Sequence, residues 1–72
     1  MAQIIRSTED LGAALRQARR KAGLTQMQVA DALGFSHQWI SEIESGKPNA
    51  RIGAILEVAA ALNLTLKASS VE

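Results

Sequence analysis

An all-α bundle of four to five short helices, edged by a short β-strand at either end, is the fold that this 72-residue chain predicts. Three observations carry the expectation. Glycines at 23, 34 and 46 punctuate the middle of the chain at intervals of eleven and twelve residues, each soon followed by a polar residue able to start a helix. Between them apolar residues recur three and four apart, the spacing of a single buried helix face. Only the two ends abandon that spacing. Gln3-Ile4-Ile5 is rich in β-branched side chains, and Leu64-Thr65-Leu66-Lys67 alternates with a period of two.

The first helix is expected to begin after Ser7 or Thr8, whose side-chain oxygen can accept from a free N–H one turn on. Glu9 and Asp10 then sit favourably at the positive end of the helix dipole. Leu11, Leu15, Ala18 and Ala22 form one apolar stripe opposite Arg16 and Arg20, and Gly23 stops the helix. Thr25 caps a second helix with Val29, Ala30 and Leu33 inward, ended by Gly34. Ser36 caps a third, from His37 to about Ser45, with Ile40 and Ile43 inward and Gly46 as its stop. After Pro48-Asn49 the broad stripe Ile52, Ile55, Leu56, Ala59 and Leu62 predicts a well-buried final helix, closed by a left-handed cap at Asn63. Residues 1–6 and 64–68 are read as the strands, with Ile4, Ile5, Leu64 and Leu66 joining two chains, and 69–72 as disordered. The whole of 1–72 reads as one domain.

A domain of this size buries only about 60% of its unfolded surface, so a staple or an oligomer is expected. With no cysteine there is no disulfide, and a single histidine excludes a His/Cys zinc cluster. No cofactor or metal is expected, and a homodimer is. The lack of cysteine suits a reducing cytoplasm. No apolar run approaches the ~20 residues of a membrane span, and the first residues lack a signal-peptide pattern.

The formal net charge of +1 conceals a division. Residues 1–30 hold five basic groups against two acidic ones, whereas 31–72 hold three against five. Arg16, Arg19, Arg20 and Lys21 can neutralise phosphates, or can equally be a solvated face whose cations meet the helix dipole.

Two short helices separated by Gly34-Phe35, the second capped by Ser36, form a helix-turn-helix, a unit that sets its second helix in the DNA major groove. Residue identity sharpens this. Leu24-Thr25-Gln26-Met27-Gln28-Val29-Ala30-Asp31-Ala32-Leu33-Gly34-Phe35-Ser36, followed by Trp39-Ile40-Ser41-Glu42-Ile43-Glu44-Ser45-Gly46-Lys47, resembles the phage repressor and Cro-like helix-turn-helix family from Leu11 to about Leu64. Within it, the Ile-Ile start, the Ser-Thr-Glu-Asp-Leu-Gly lead into the first helix and the Leu-Thr-Leu-Lys tail are most similar to HipB-type antitoxins. The resemblance implies a lambda-repressor-like fold and a dimeric repressor of a palindromic, double-stranded DNA operator that also binds a HipA-like kinase toxin.

It also implies roles for individual residues. His37 and Gln38 open the recognition helix as base readers, Gln toward adenine and His toward guanine or phosphate, while Ser36 adds a phosphate contact to its cap. Ser41 and Glu42 follow one turn on; Glu42 can accept from cytosine N4, or be solvated or paired within the chain. Gln26 faces a phosphate beside the free N–H groups of its helix, or is a plain surface glutamine. Trp39 is expected half-buried with an edge toward the backbone. Lys47, Asn49 and Arg51 grip the backbone after the helix. Arg19 and Glu44 form a structural ion pair. Gly12 and Gly53, inside helices, mark close backbone approaches or have no special role.

Two other classes of function are distinguishable. A protein-interaction module with secondary DNA binding differs by giving no salt-sensitive, sequence-specific DNA shift. An enzyme lacks any nucleophile-base pair or phosphate-cradling glycine loop.

Overall fold

The computed structural model describes residues 3–70 and contains four helices: α1 (Thr8–Lys21), α2 (Gln26–Leu33), α3 (His37–Glu44) and α4 (Ile52–Ala61). Their starts are chemically plain. Ser7 accepts from the Asp10 N–H at 3.0 Å. Thr25 and Gln28 form a reciprocal capping box, and Ser36 accepts from the Trp39 N–H at 3.0 Å. Arg51 precedes α4 without any side-chain cap. The ends also share a device, in which the chain turns back through a left-handed residue to satisfy the last carbonyls. After α4 that residue is Asn63, with φ 61°, and the Leu64 N–H reaches the Ala59 carbonyl at 2.8 Å.

Helix α3 packs on α1 and α2, and α2 on α4. Leu15, Ile40 and Val58 lie at the centre, surrounded by Val29, Ala30, Ile43, Ile55, Ala59 and Leu62. Helices of eight residues do not persist alone, so this shared core is what holds α2 and α3 in shape. Two further contacts fix α1 against the end of α3. Thr8 Oγ1 donates to the Gly46 carbonyl at 2.8 Å, and the α1 backbone at Gly12 lies directly against the carbonyls of Ile43 and Glu44.

The expected terminal strands are corrected by the structure. Residues 3–6 and 64–70 carry no β-strand, so Ile4, Ile5, Leu64 and Leu66 pair with nothing in a ladder. Residues 1, 2, 71 and 72, part of the expected strand and of the expected disordered tail, lie outside the described residues. The physical reason is that alternation or β-branching creates a preference, whereas a strand also needs an edge to pair with, and a two-stranded ribbon is marginal in water. The segments take other partners. Gln3 donates to Gln17 on α1 at 3.0 Å, and Leu64 packs on the helical core.

Helix α4 differs from its sequence reading as well. Ile55, Val58, Ala59 and Leu62 are inside, but Ile52 is 64% and Leu56 49% exposed. A stripe too wide for one contact has an inner edge on the core and an outer edge facing away. Gly53 lies on that open side, with nothing within 4 Å of where a Cβ would stand, unlike Gly12.

Candidate nucleic-acid interface

Ser36, His37 and Gln38 are exposed at the amino end of α3, with half-buried Ser41 and Glu42 on the next turn. The amino end of α2 stands beside them. His37 Nε2 lies 3.1 Å from Gln26 Oε1, a contact across eleven residues that sets the first residues of two successive helices side by side. Behind it, Gln26 Nε2 donates to Glu44 Oε1 at 3.0 Å. Glu44 in turn holds the Arg19 guanidinium in a two-pronged pair, Nε to Oε2 at 2.6 Å and Nη2 to Oε1 at 3.0 Å. A third donor of Arg19, Nη1, goes to the Leu24 carbonyl at 2.7 Å, tying α1 to the turn before α2. One chain of hydrogen bonds therefore runs from the buried side of α1, through α3 and α2, to the exposed end of the recognition helix.

The electrostatics of this chain are coupled. Burial by itself pushes the Glu44 carboxyl up, but hydrogen bonds from Arg19 and Gln26, with the charges of Arg19 and Arg16, outweigh it and hold the group below its ordinary value. Arg19 is held above its ordinary value by its hydrogen bond to Glu44, against the opposing effect of burial. Both ends of the pair stay charged, with side chains only 10% and 5% exposed.

The acidic residue of the exposed face is also occupied. Glu42 pairs with Lys47 Nζ at 3.2 Å and accepts a long bond from Gln38 Nε2 at 3.4 Å. A carboxylate beside phosphates is repelled; in this arrangement Lys47 neutralises it, and the Gln38 amide can exchange its weak internal bond for a base edge. Trp39 is half-buried and packs on the Phe35 ring, centroids 4.5 Å apart and planes tilted by 34°. That contact turns it into a strut beneath the turn. Asn49 and Arg51 are exposed in the loop between Lys47 and α4. Arg16, one turn along α1 from Gly12 and exposed, stands close enough for its charge to be felt at Glu44, which the sequence left open between DNA and protein.

The structure brings together Gln26, His37, Arg19 and Glu44, and separately Gln38, Glu42 and Lys47. The bond between Gln26 and His37 was not foreseen. Its one sequence signal is that both residues open a helix on either side of a tight turn. Among the described residues, no cluster of His, Cys, Asp or Glu is placed to hold a metal, and no helix is long and apolar enough to cross a membrane.

Comparison with known proteins agrees with this geometry. A family model described as a helix-turn-helix domain matches residues 10–68. The chain is similar to the uncharacterized HTH-type transcriptional regulator y4mF of Sinorhizobium fredii, 35% identical over 66 residues, which cover 92% of this chain and 87% of the relative. It is also similar to the HTH-type regulator y4dJ of the same organism, 36% identical over 55 residues, covering 76% and 71%. Among solved structures, the HipB–O1–O2 complex superposes with a TM-score of 0.85 at 25% identity, over 96% of this chain and all of the other. The HipA–HipB–O2–O3 complex does so with a TM-score of 0.86 at 24% identity, over 99% of this chain and all of the other. With a match across most of its length and relatives above 30% identity, the chain belongs to the helix-turn-helix domain family of transcriptional regulators.

Proposed function

We propose that this protein is a sequence-specific DNA-binding repressor, the antitoxin of a HipA-like kinase toxin–antitoxin operon, acting in the cytoplasm as a homodimer on a palindromic operator. The observation that carries the reading is the amino end of α3, where His37 and Gln38 are exposed at the surface while Gln26, Glu44 and Arg19 hold the helix from behind. The likeness to the HipB–O1–O2 complex supports a repressor of this type, and the HipA–HipB–O2–O3 complex supports the partner. Base reading falls to His37, Gln38 and Ser41, with Glu42 available to a cytosine. Backbone contacts fall to Gln26, Ser36, Trp39, Lys47, Asn49 and Arg51.

A mobility shift with the purified protein tests the reading directly. A duplex enriched from a random pool should compete far better than its scrambled form, and absence of any sequence preference would sink the proposal. Gln38→Ala is expected to cost about 1 to 3 kcal/mol at one base position and to relax specificity there. Lys47→Ala should weaken all sequences alike and reduce the salt slope by about 0.9. Equal losses on operator and scrambled DNA for Gln38→Ala would remove it from the base readers.

The open side of α4 supplies the surface for the second copy. Ile52 and Leu56 are exposed apolar side chains one turn apart, and Gly53 beside them leaves room for another backbone. A palindrome read by two recognition helices ~34 Å apart requires such a partner. Leu56→Lys is expected to leave the chain folded and monomeric by analytical ultracentrifugation, and to weaken operator binding about a hundredfold or more through lost avidity. A variant that sediments as a dimer would move the interface elsewhere.

A further inference from the structure

His37 is the only histidine of the chain, and there is no cysteine. Imidazole is the side-chain group that ordinarily changes charge between pH 5 and 8. The hydrogen-bond chain behind it dictates how that ring carries its protons. Glu44, ionised and paired with Arg19, can only accept, so the Gln26 group facing it must be the amide nitrogen. That orientation leaves the Gln26 oxygen facing His37, and an oxygen can only accept. The proton between them therefore belongs to His37 Nε2. The second ring nitrogen, Nδ1, makes no hydrogen bond within the described chain.

We propose that Gln26 is a positioning residue that commits the single proton of the neutral His37 ring to its own side-chain oxygen, making His37 a proton-coupled reader of DNA. With that proton committed, Nδ1 of the neutral ring offers only a lone pair. A DNA acceptor, whether a phosphate oxygen or guanine N7 or O6, is met only when Nδ1 takes up a second proton. Protonation leaves the inward bond untouched, because Nε2 donates to Gln26 in both forms. Only the outward face changes, from acceptor to cationic donor. Binding therefore takes up one proton from solvent onto Nδ1, and affinity rises as pH falls.

The charged groups around the ring come from all three helices packed there. From α1, Arg19 and Arg16 act on Glu44; on α3 itself, Glu44 is locked to Arg19 and Glu42 to Lys47; the first turn of α2 has no acidic residue. The inference rests on the DNA-binding reading above and deepens it.

The test is the dissociation constant of the full chain for a fluorescent duplex enriched from a random pool, at pH 8 and pH 6 and fixed ionic strength. Uptake of one proton allows at most about a tenfold gain per pH unit. Wild type is expected to gain severalfold or more. His37→Gln, which can still donate to Gln26 but does not titrate, should gain less than twofold. Gln26→Ala should bind more weakly at both pH values and show a smaller ratio, because the released neutral ring can turn its one proton outward. A gain confined to the enriched duplex assigns the acceptor to guanine, and the same gain on scrambled duplex assigns it to phosphate.

An equal pH ratio for wild type and His37→Gln, a loss of affinity in acid, or a full ratio retained by Gln26→Ala would each overturn the proposal. Imidazole nitrogen shifts of the free protein give a readout without DNA: Nε2 should carry the proton of the neutral ring, and a proton found on Nδ1 would overturn the relay. A pool that yields no enriched duplex brings down the DNA-binding reading, and this inference with it.

Discussion

Replacing Gly12 by alanine is expected to destabilise the protein by about 3 kcal/mol, the upper part of the usual range for overpacking a dense contact. In an exposed helix the same change would stabilise by ~1 kcal/mol through propensity. Here the contact decides the sign. A Cβ at position 12 would stand 2.6 Å from the Glu44 carbonyl oxygen and 2.9 Å from its carbon, with the Ile43 oxygen equally in the way. These are backbone atoms at the end of α3, unable to rotate aside as a side-chain tip would. For a domain of this size the melting midpoint should fall by roughly 12 to 24 °C. Urea and thermal unfolding measure it, and a midpoint at or above that of wild type would show that α1 is not seated as closely as described. DNA affinity should fall as well, although Gly12 touches no DNA, because α1 can make room only by displacing the recognition helix.

Gly12 also illustrates what the sequence made legible. Its cost in a helix was visible, with two readings open, and the three-dimensional contact selects close approach at Gly12 and open space at Gly53. Helix boundaries were readable because they are local: Ser7, Thr25 and Ser36 bond to backbone three residues on, and Gly23, Gly34 and Gly46 adopt the positive φ that stops each helix. The strands were misread because pairing is not local. Leu64 to Lys67 alternates as a strand should, yet Leu64 found the helical core before any edge. Ile52 and Leu56 were read as buried for a related reason: periodicity reports an apolar face but does not say whether this chain or another covers it. At the site, family resemblance brought Gln26 and His37 to the same DNA face. That they bond to one another follows only from the packing of α2 on α3.

The second large effect concerns the ion pair beneath that face. Glu44→Gln is expected to cost about 3 to 5 kcal/mol at neutral pH, since the Arg19 guanidinium would remain buried without its counter-charge. The pH dependence follows from the direction of the shift. Glu44 titrates below its ordinary value in the folded state, so its contribution is fully present above the unfolded value near ~4.3 and is lost as pH falls through the lowered folded value. Urea unfolding from pH 7 downward should therefore show the gap between wild type and Glu44→Gln closing in acid. A gap that stays constant to pH 3 would mean the ionised pair is not its source. Removing both partners together discriminates further. Arg19→Met with Glu44→Leu should be less destabilised than Glu44→Gln, because an apolar pair does not leave a buried charge alone. The double variant nevertheless loses the carboxylate that orients Gln26, and with it the fixed proton on His37. It is expected to fold well and to lose the pH-dependent part of DNA binding, which would assign the pair's role to aiming the recognition surface more than to holding the fold.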